Sequence, residues 1–230
     1  MRKKLYILGL ALIASCFFVA CEDEAKEETT TTAEGATTTG ADSENPSDEK
    51  ATPEYETVAS ETLTPAAIDG TTITGNGYTI TIPSNWTKAD TTGIDAYRLP
   101  ETYTNITILS EAAAPNTSIE SYKNDLATLY SSTEGYNLDS IGDVTIDGRE
   151  GFVIHYNISN GTNFFYGDQY ILNCDGMYMG LTFVAYNEEY ETSSSIGKDI
   201  ISTFHYTGEF EEESTTKAEY DNSRPFRYDN

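Results

Sequence analysis

Every stretch in which apolar side chains recur with a regular period lies between about Ala67 and Tyr206, together with nearly all of the aromatics. About 140 residues suffice for one hydrophobic core, and the flanks are too poor in large apolar side chains to add to it. The chain of 230 residues therefore reads as one folded unit carrying two long polar extensions. It holds 38 acidic against 13 basic residues, a net charge of −25. Such a surface repels a polyanion, so nucleic acid is not an expected partner.

The amino terminus is different in kind. Arg2, Lys3 and Lys4 form a positive head before the apolar run Leu5 to Ala20. As a helix that run rises roughly 24 Å, short of a ~30 Å hydrocarbon core. A basic head, a short apolar middle and small residues at the end mark an export signal, to be excluded from the fold. Phe18-Val19-Ala20-Cys21 resembles the lipobox of bacterial lipoproteins, with Phe18 in place of the usual Leu. Ile13-Ala14-Ser15-Cys16 fits the same pattern. Cleavage before Cys16 leaves Phe17-Phe18-Val19-Ala20 exposed at the new terminus, whereas cleavage before Cys21 leaves Glu22-Asp23-Glu24, soluble from its first residue. Cys21 is the expected lipidation site. Its thiol is the soft nucleophile needed for a thioether to diacylglycerol, and two acyl chains of the palmitate class anchor stably where one does not. Residues 1–21 are thus read as a lipoprotein signal peptide ending on the modified cysteine. The expected location is the extracytoplasmic face of a bacterial cell membrane, and the expected membrane contact is that anchor.

From Glu22 to Pro65 the chain has thirteen acidic and two basic residues and eleven Thr. Such a segment does not bury enough apolar area to offset its ordering entropy, and its charge keeps it extended. Residues 22–66 are expected to be a disordered tether, and residues 207–230, which include Glu211-Glu212-Glu213, a disordered acidic tail.

Within 67–206, Tyr78, Ile80 and Ile82 alternate with Thr79 and Thr81, a half-buried strand that Pro83 ends. Thr104 to Ser110 alternates in the same way, with Ile106 and Ile108 on one face. A helix follows, capped by Thr117 or Ser118, with Glu120 complementing its dipole. Ile119, Tyr122, Leu126, Leu129 and Tyr130 lie along one side of it, and Gly135 stops it. Asp175-Gly176 between apolar runs predicts a two-residue hairpin pairing Cys174 with Met177, Leu172 with Met179, Tyr170 with Leu181 and Asp168 with Phe183. A three-residue loop at Asn160 to Thr162 is expected to align Phe152, Tyr156 and Ile158 with Tyr170, Tyr166 and Phe164, extending one apolar face. A last amphipathic helix runs from about Glu188 to Phe204 through Tyr190, Ile196, Ile200 and Phe204, interrupted by Gly197 and weakened by Ser193 to Ser195.

Strands, helix, antiparallel strands and a final helix predict an α+β class with a mainly antiparallel sheet flanked by helices. Three segments carry a family resemblance: Tyr78-Thr79-Ile80-Thr81-Ile82-Pro83 with Asn85-Trp86, then Ile146-Asp147-Gly148-Arg149-Glu150-Gly151, then Ile200-Ile201-Ser202-Thr203-Phe204. Together they resemble PsbP-like domains of bacterial lipoproteins, relatives of a photosystem oxygen-evolving subunit and of DcrB. The likeness spans about Gly75 to Tyr206. It implies an α/β/α sandwich and a binding or assembly module, and it brings no catalytic residues.

The candidate chemistry is sparse. The only histidines are His155 and His205, and no nucleophile elbow, zinc helix, phosphate loop or Cys-x-x-Cys motif accompanies them. His155 is expected on the face opposite Phe152, Ile154 and Tyr156, without a catalytic role. Cys174 is the only thiol outside 1–21. It reads as a small apolar residue on the inner face of the sheet. Asp90, Asp95, Asp139, Asp143 and Asp147 offer oxygen ligands but lack a calcium-loop spacing. Phe165 and Tyr178 fall on the second sheet face and need a cover, a helix or else a carbohydrate or protein partner. The Asn-x-Ser/Thr triplets at Asn85, Asn105, Asn116, Asn157 and Asn160 arise by chance in a bacterial protein. No catalytic, cofactor or metal residue is expected. The expected function is a lipid-anchored envelope protein whose domain binds or positions an envelope partner. The alternatives are an envelope hydrolase and a small-ligand or ion-binding lipoprotein.

Overall fold

The computed structural model describes residues 55–91, 93–113, 117–159 and 163–210. The signal segment, Cys16, Cys21, the tether up to 54 and the tail beyond 210 lie outside the described residues, as do Asn116 and Asn160. The elements are β1 (Glu56–Thr57), β2 (Glu61–Leu63), β3 (Gly70–Gly75), β4 (Tyr78–Pro83), β5 (Thr87–Lys88), β6 (Asp95–Arg98) and β7 (Asn105–Ala112). Helix α1 (Ile119–Ser132) precedes the long strands β8 (Tyr136–Ile146), β9 (Arg149–Ser159), β10 (Phe164–Cys174) and β11 (Met177–Tyr186), and α2 (Asn187–Ser202) and β12 (His205–Tyr206) follow.

Two sheets result. The larger runs β1-β8-β9-β10-β11-β7-β6-β5, with β2 also on β8, and the smaller runs β12-β4-β3. All pairings are antiparallel except those of β1 and β2 with β8. This is the expected α+β architecture. The large sheet is the middle layer, and alternate side chains of its strands enter two separate cores. On one face, Tyr170, Leu172, Cys174, Met179, Leu181 and Phe183 pack with Ile80 and Ile82 of the small sheet and with Ile200, Ile201 and Phe204. On the other, Phe152, Ile154, Tyr156, Ile158 and Ile171 pack with Tyr122, Leu126 and Tyr130 of α1.

The local signals act as their chemistry demands. Ser118 caps α1, its hydroxyl accepting from the Ser121 N–H at 3.1 Å, and Glu120 sits in the first turn. Asp175 and Gly176 have φ of 52° and 89°, the left-handed conformation that a tight hairpin needs, and all four predicted pairs across the turn are present. Tyr178 is covered by α1, its ring stacked on Tyr122 at 4.6 Å. Phe165 is covered differently, by Tyr103 at 6.0 Å and Tyr186 at 5.7 Å.

Three expectations need correction. The β9–β10 register is one residue off: Phe164 pairs with Ser159, Tyr156 with Gly167 and Phe152 with Ile171. Phe152, Tyr156 and Ile158 therefore face α1, while Tyr170 and Leu172 face the other core. A one-residue shift exchanges faces, and here both faces are apolar. Second, β1 and β2 lie within the stretch whose composition reads as tether, and Leu63 is buried. Backbone pairing to the edge of β8 orders them where side-chain burial alone would not. Third, Gly197 does not interrupt α2. A Cβ built there would lie 2.3 Å from a carbon of the Phe183 ring, so the glycine lets the helix approach the sheet. The buried face of α2 is Ser193, Gly197, Ile200 and Ile201, and Ile196 is exposed.

Gly197→Val should therefore lower stability by about 3 kcal/mol through overpacking against a ring that has no room to move, although valine is the better helix former. Denaturant unfolding with an unchanged midpoint would show that α2 does not depend on this contact.

Candidate functional site

Where α2 leaves the sheet, the row of cross-strand neighbours Ser140, His155 and Asp168 on β8, β9 and β10 replaces the apolar packing found further along. Tyr190, Ser194 and Lys198 recur every four residues on α2 and face this row, since residues four apart share one side of a helix. Val58, Ala59 and Glu61 of the β1–β2 segment close the third side. The result is a cleft of about 460 Å³ floored by Val153 and Tyr170.

Its centre is a hydrogen-bonded trio. His155 Nδ1 lies 2.6 Å from Asp168 Oδ1, and the Tyr190 hydroxyl donates to the same oxygen at 2.8 Å. The Asp168 side chain is only 8% exposed, so its charge needs these partners. The hydrogen bond to Asp168 holds the His155 imidazole above its usual range, and partial burial works against it more weakly. Burial first, then the Asp168 charge and hydrogen bond, push the Tyr190 hydroxyl well above the ordinary phenol range, so it stays a proton donor. At the cleft wall Lys198 Nζ meets Glu61 at 2.6 Å, tying α2 to β2.

A ring that gives its Nδ1 proton to a carboxylate leaves Nε2 as an acceptor when neutral and a donor when charged. Among the described residues the His155 ring has no hydrogen-bond partner other than Asp168. A hydrolytic triad also requires a hydroxyl or thiol held on that second nitrogen. Ser140, Ser194 and Ser195 line the cleft. The arrangement suits recognition of a polar group by a His edge and serine hydroxyls over an apolar floor.

The other candidates are dispersed. His205 Nδ1 lies 3.0 Å from Asp147 Oδ1, and the Tyr206 N–H donates to Asp147 Oδ2 at 2.9 Å, which fastens β12 to the β8–β9 turn. Cys174 is fully buried in the core, and burial pushes its thiol up to about 12, opposed by the Arg149 guanidinium. That suits the apolar role expected of it. Asp95 binds Lys88 and Tyr78, Asp139 accepts from Asn157, and Asp143 pairs with Lys123. Asp90 shares none of these contacts. Among the described residues no three metal-ligating side chains converge. Sequence reasoning placed His155 on the correct face and missed its partner, because the expected register sets it opposite Gly167 rather than Asp168.

The sign of the His155 shift fixes a pH dependence. An imidazole held above its unfolded value contributes stability that is fully present below about pH 6.5 and is lost as pH rises through the folded value. By proton NMR the His155 ring should titrate above about 6.5, and Asp168→Asn should bring it down. The stability lost in that variant should shrink as pH rises above about 6.5. A ring that titrates identically in both proteins would refute the coupling.

No protein-family model matches the chain, and no curated protein matches it. Solved structures similar to it include cyanobacterial PsbP (CyanoP) from Synechocystis, 16% identical with a TM-score of 0.47, over 56% of this chain and 86% of that one. Another is LpqN of Mycobacterium tuberculosis, a protein involved in cell envelope biogenesis, 12% identical with a TM-score of 0.46, over 60% of this chain and 90% of that one.

Proposed function

We propose that this chain is a lipid-anchored protein of the bacterial cell envelope, held through Cys21, whose folded domain binds or positions an envelope partner and catalyses no reaction. The chain order supports the anchor: basic head, short apolar run, cysteine, then an acidic threonine-rich tether. The observation that carries the binding role is the cleft between α2 and β8–β10. It places a hydrogen-bonding edge of His155 and three serine hydroxyls over an apolar floor, next to the strands through which the tether enters the domain. The partner would insert a polar side chain or terminus there.

Two measurements test this reading. Expressed with its own signal, the protein should fractionate with membranes and carry a diacylglycerol-sized mass increment, and Cys21→Ala should lose both. Unmodified protein released into the medium would overturn the anchor. A photoreactive residue at Ser194 should crosslink in cells to an envelope protein, while the same probe at Asp125, on the exposed side of α1, should not. Equal adducts from both positions, or none from Ser194, would overturn the cleft as the docking site.

A further inference from the structure

Strand β3 is the outer strand of the small sheet. Its hairpin with β4 turns through Asn76 and Gly77, so that Gly75 pairs with Tyr78. The closing pair of a two-residue hairpin is hydrogen-bonded, and bonded pairs then alternate along the ladder. Thr71, Ile73 and Gly75 therefore direct their backbone groups to β4, and those of Gly70, Thr72 and Thr74 point outward. The opposite strand agrees: the N–H of Thr81, paired with Thr72, points away from β3 and donates to Thr203 Oγ1 at 2.9 Å.

Natural edge strands are blunted by charge, proline, a bulge or a cover. Gly70-Thr71-Thr72-Ile73-Thr74-Gly75 has no charge and no proline, its ladder with β4 runs without a bulge, and Thr71, Thr72 and Thr74 are exposed. Among the described residues the other edges are managed, with β8 capped by β1 and β2 and with β5 and β12 only two residues long each. In a chain with a net charge of −25, an uncharged exposed strand of six residues is where a like-charged molecule can approach without local repulsion.

We infer that β3 is a self-association edge that pairs antiparallel with β3 of a second copy of this chain, about a two-fold axis at Thr72. The outward groups, at Gly70, Thr72 and Thr74, sit symmetrically around that residue. One register therefore sets Thr72 against Thr72 and Gly70 of each copy against Thr74 of the other, and satisfies all six donors and all six acceptors. Threonine opposite threonine is a favourable cross-strand pair. Each Ile73 side chain, only partly buried in one copy, lies opposite Thr71 of the other on the core face. The small sheets join into one of six strands. A single strand pair buries less than about 1,200 Å², so the association is weak and concentration-dependent. Added salt strengthens it by screening the shared negative charge.

The test is sedimentation velocity of the full chain in density-matched nonionic detergent, from about 5 to 500 µM, a range suited to an interface of this small class. Thr72→Pro removes only an outward N–H, which an edge strand tolerates. The wild type should dimerise with rising concentration and more strongly in high salt, and Thr72→Pro should weaken this at least tenfold while its melting temperature stays within a few degrees. Thr74→Lys, which sets charge on the edge, should act the same way if the proline variant folds poorly. Hydrogen exchange at the Thr72 and Thr74 amides should slow only at high concentration. A monomer throughout, or equal self-association in wild type and both variants, would overturn the inference.

Discussion

Strands β9, β10 and β11 carry large apolar side chains on both faces, and a sheet of that kind is stable only when both are covered. Helix α1 seals one face through Tyr122, Leu126 and Tyr130, and α2 with the small sheet seals the other. The second seal depends on small residues. Ser193 and Gly197 let α2 settle against Phe183, and that approach brings Tyr190 within hydrogen-bond distance of Asp168. Packing in the core and geometry in the cleft are thus set by the same helix.

The cleft forms where this covering layer changes character. Along most of its length the inner face of β10 offers Tyr170, Leu172 and Cys174, but at Asp168 it offers a carboxylate. A nearly buried charge must be paired, and the cross-strand His155 and the helical Tyr190 pair it without consuming the second ring nitrogen. What remains is a pH-sensitive hydrogen-bonding edge beside serine hydroxyls, held in place by the Lys198–Glu61 tie. The N-terminal strap that supplies Glu61 also caps the edge of β8, so the sheet edge and the cleft meet in one place.

Much of this was legible from local chemistry. The Ser118 cap, the β4 alternation and the Asp175-Gly176 turn are decided within a few residues, and each has the geometry its residues imply. The β9–β10 register was not legible. With both faces of both strands apolar, alternation supports neighbouring registers equally, and the one-residue difference hid the His155–Asp168 pair. Gly197 carried the opposite message in isolation, because helix propensity disfavours a glycine that a facing ring requires. The strap at 55–66 was masked by its composition, since backbone pairing to an edge leaves little trace in side-chain hydrophobicity.

The amino-acid sequence by itself determined the α+β class, the Ser118 cap and the Asp175-Gly176 turn, because each depends on composition or on contacts between near neighbours. The tertiary structure alone decided which face each central strand turns to which helix, how closely α2 approaches, and that His155, Asp168 and Tyr190 share one oxygen. Those outcomes depend on residues 13 to 35 positions apart meeting across strands and layers, where no local periodicity distinguishes one register from the next.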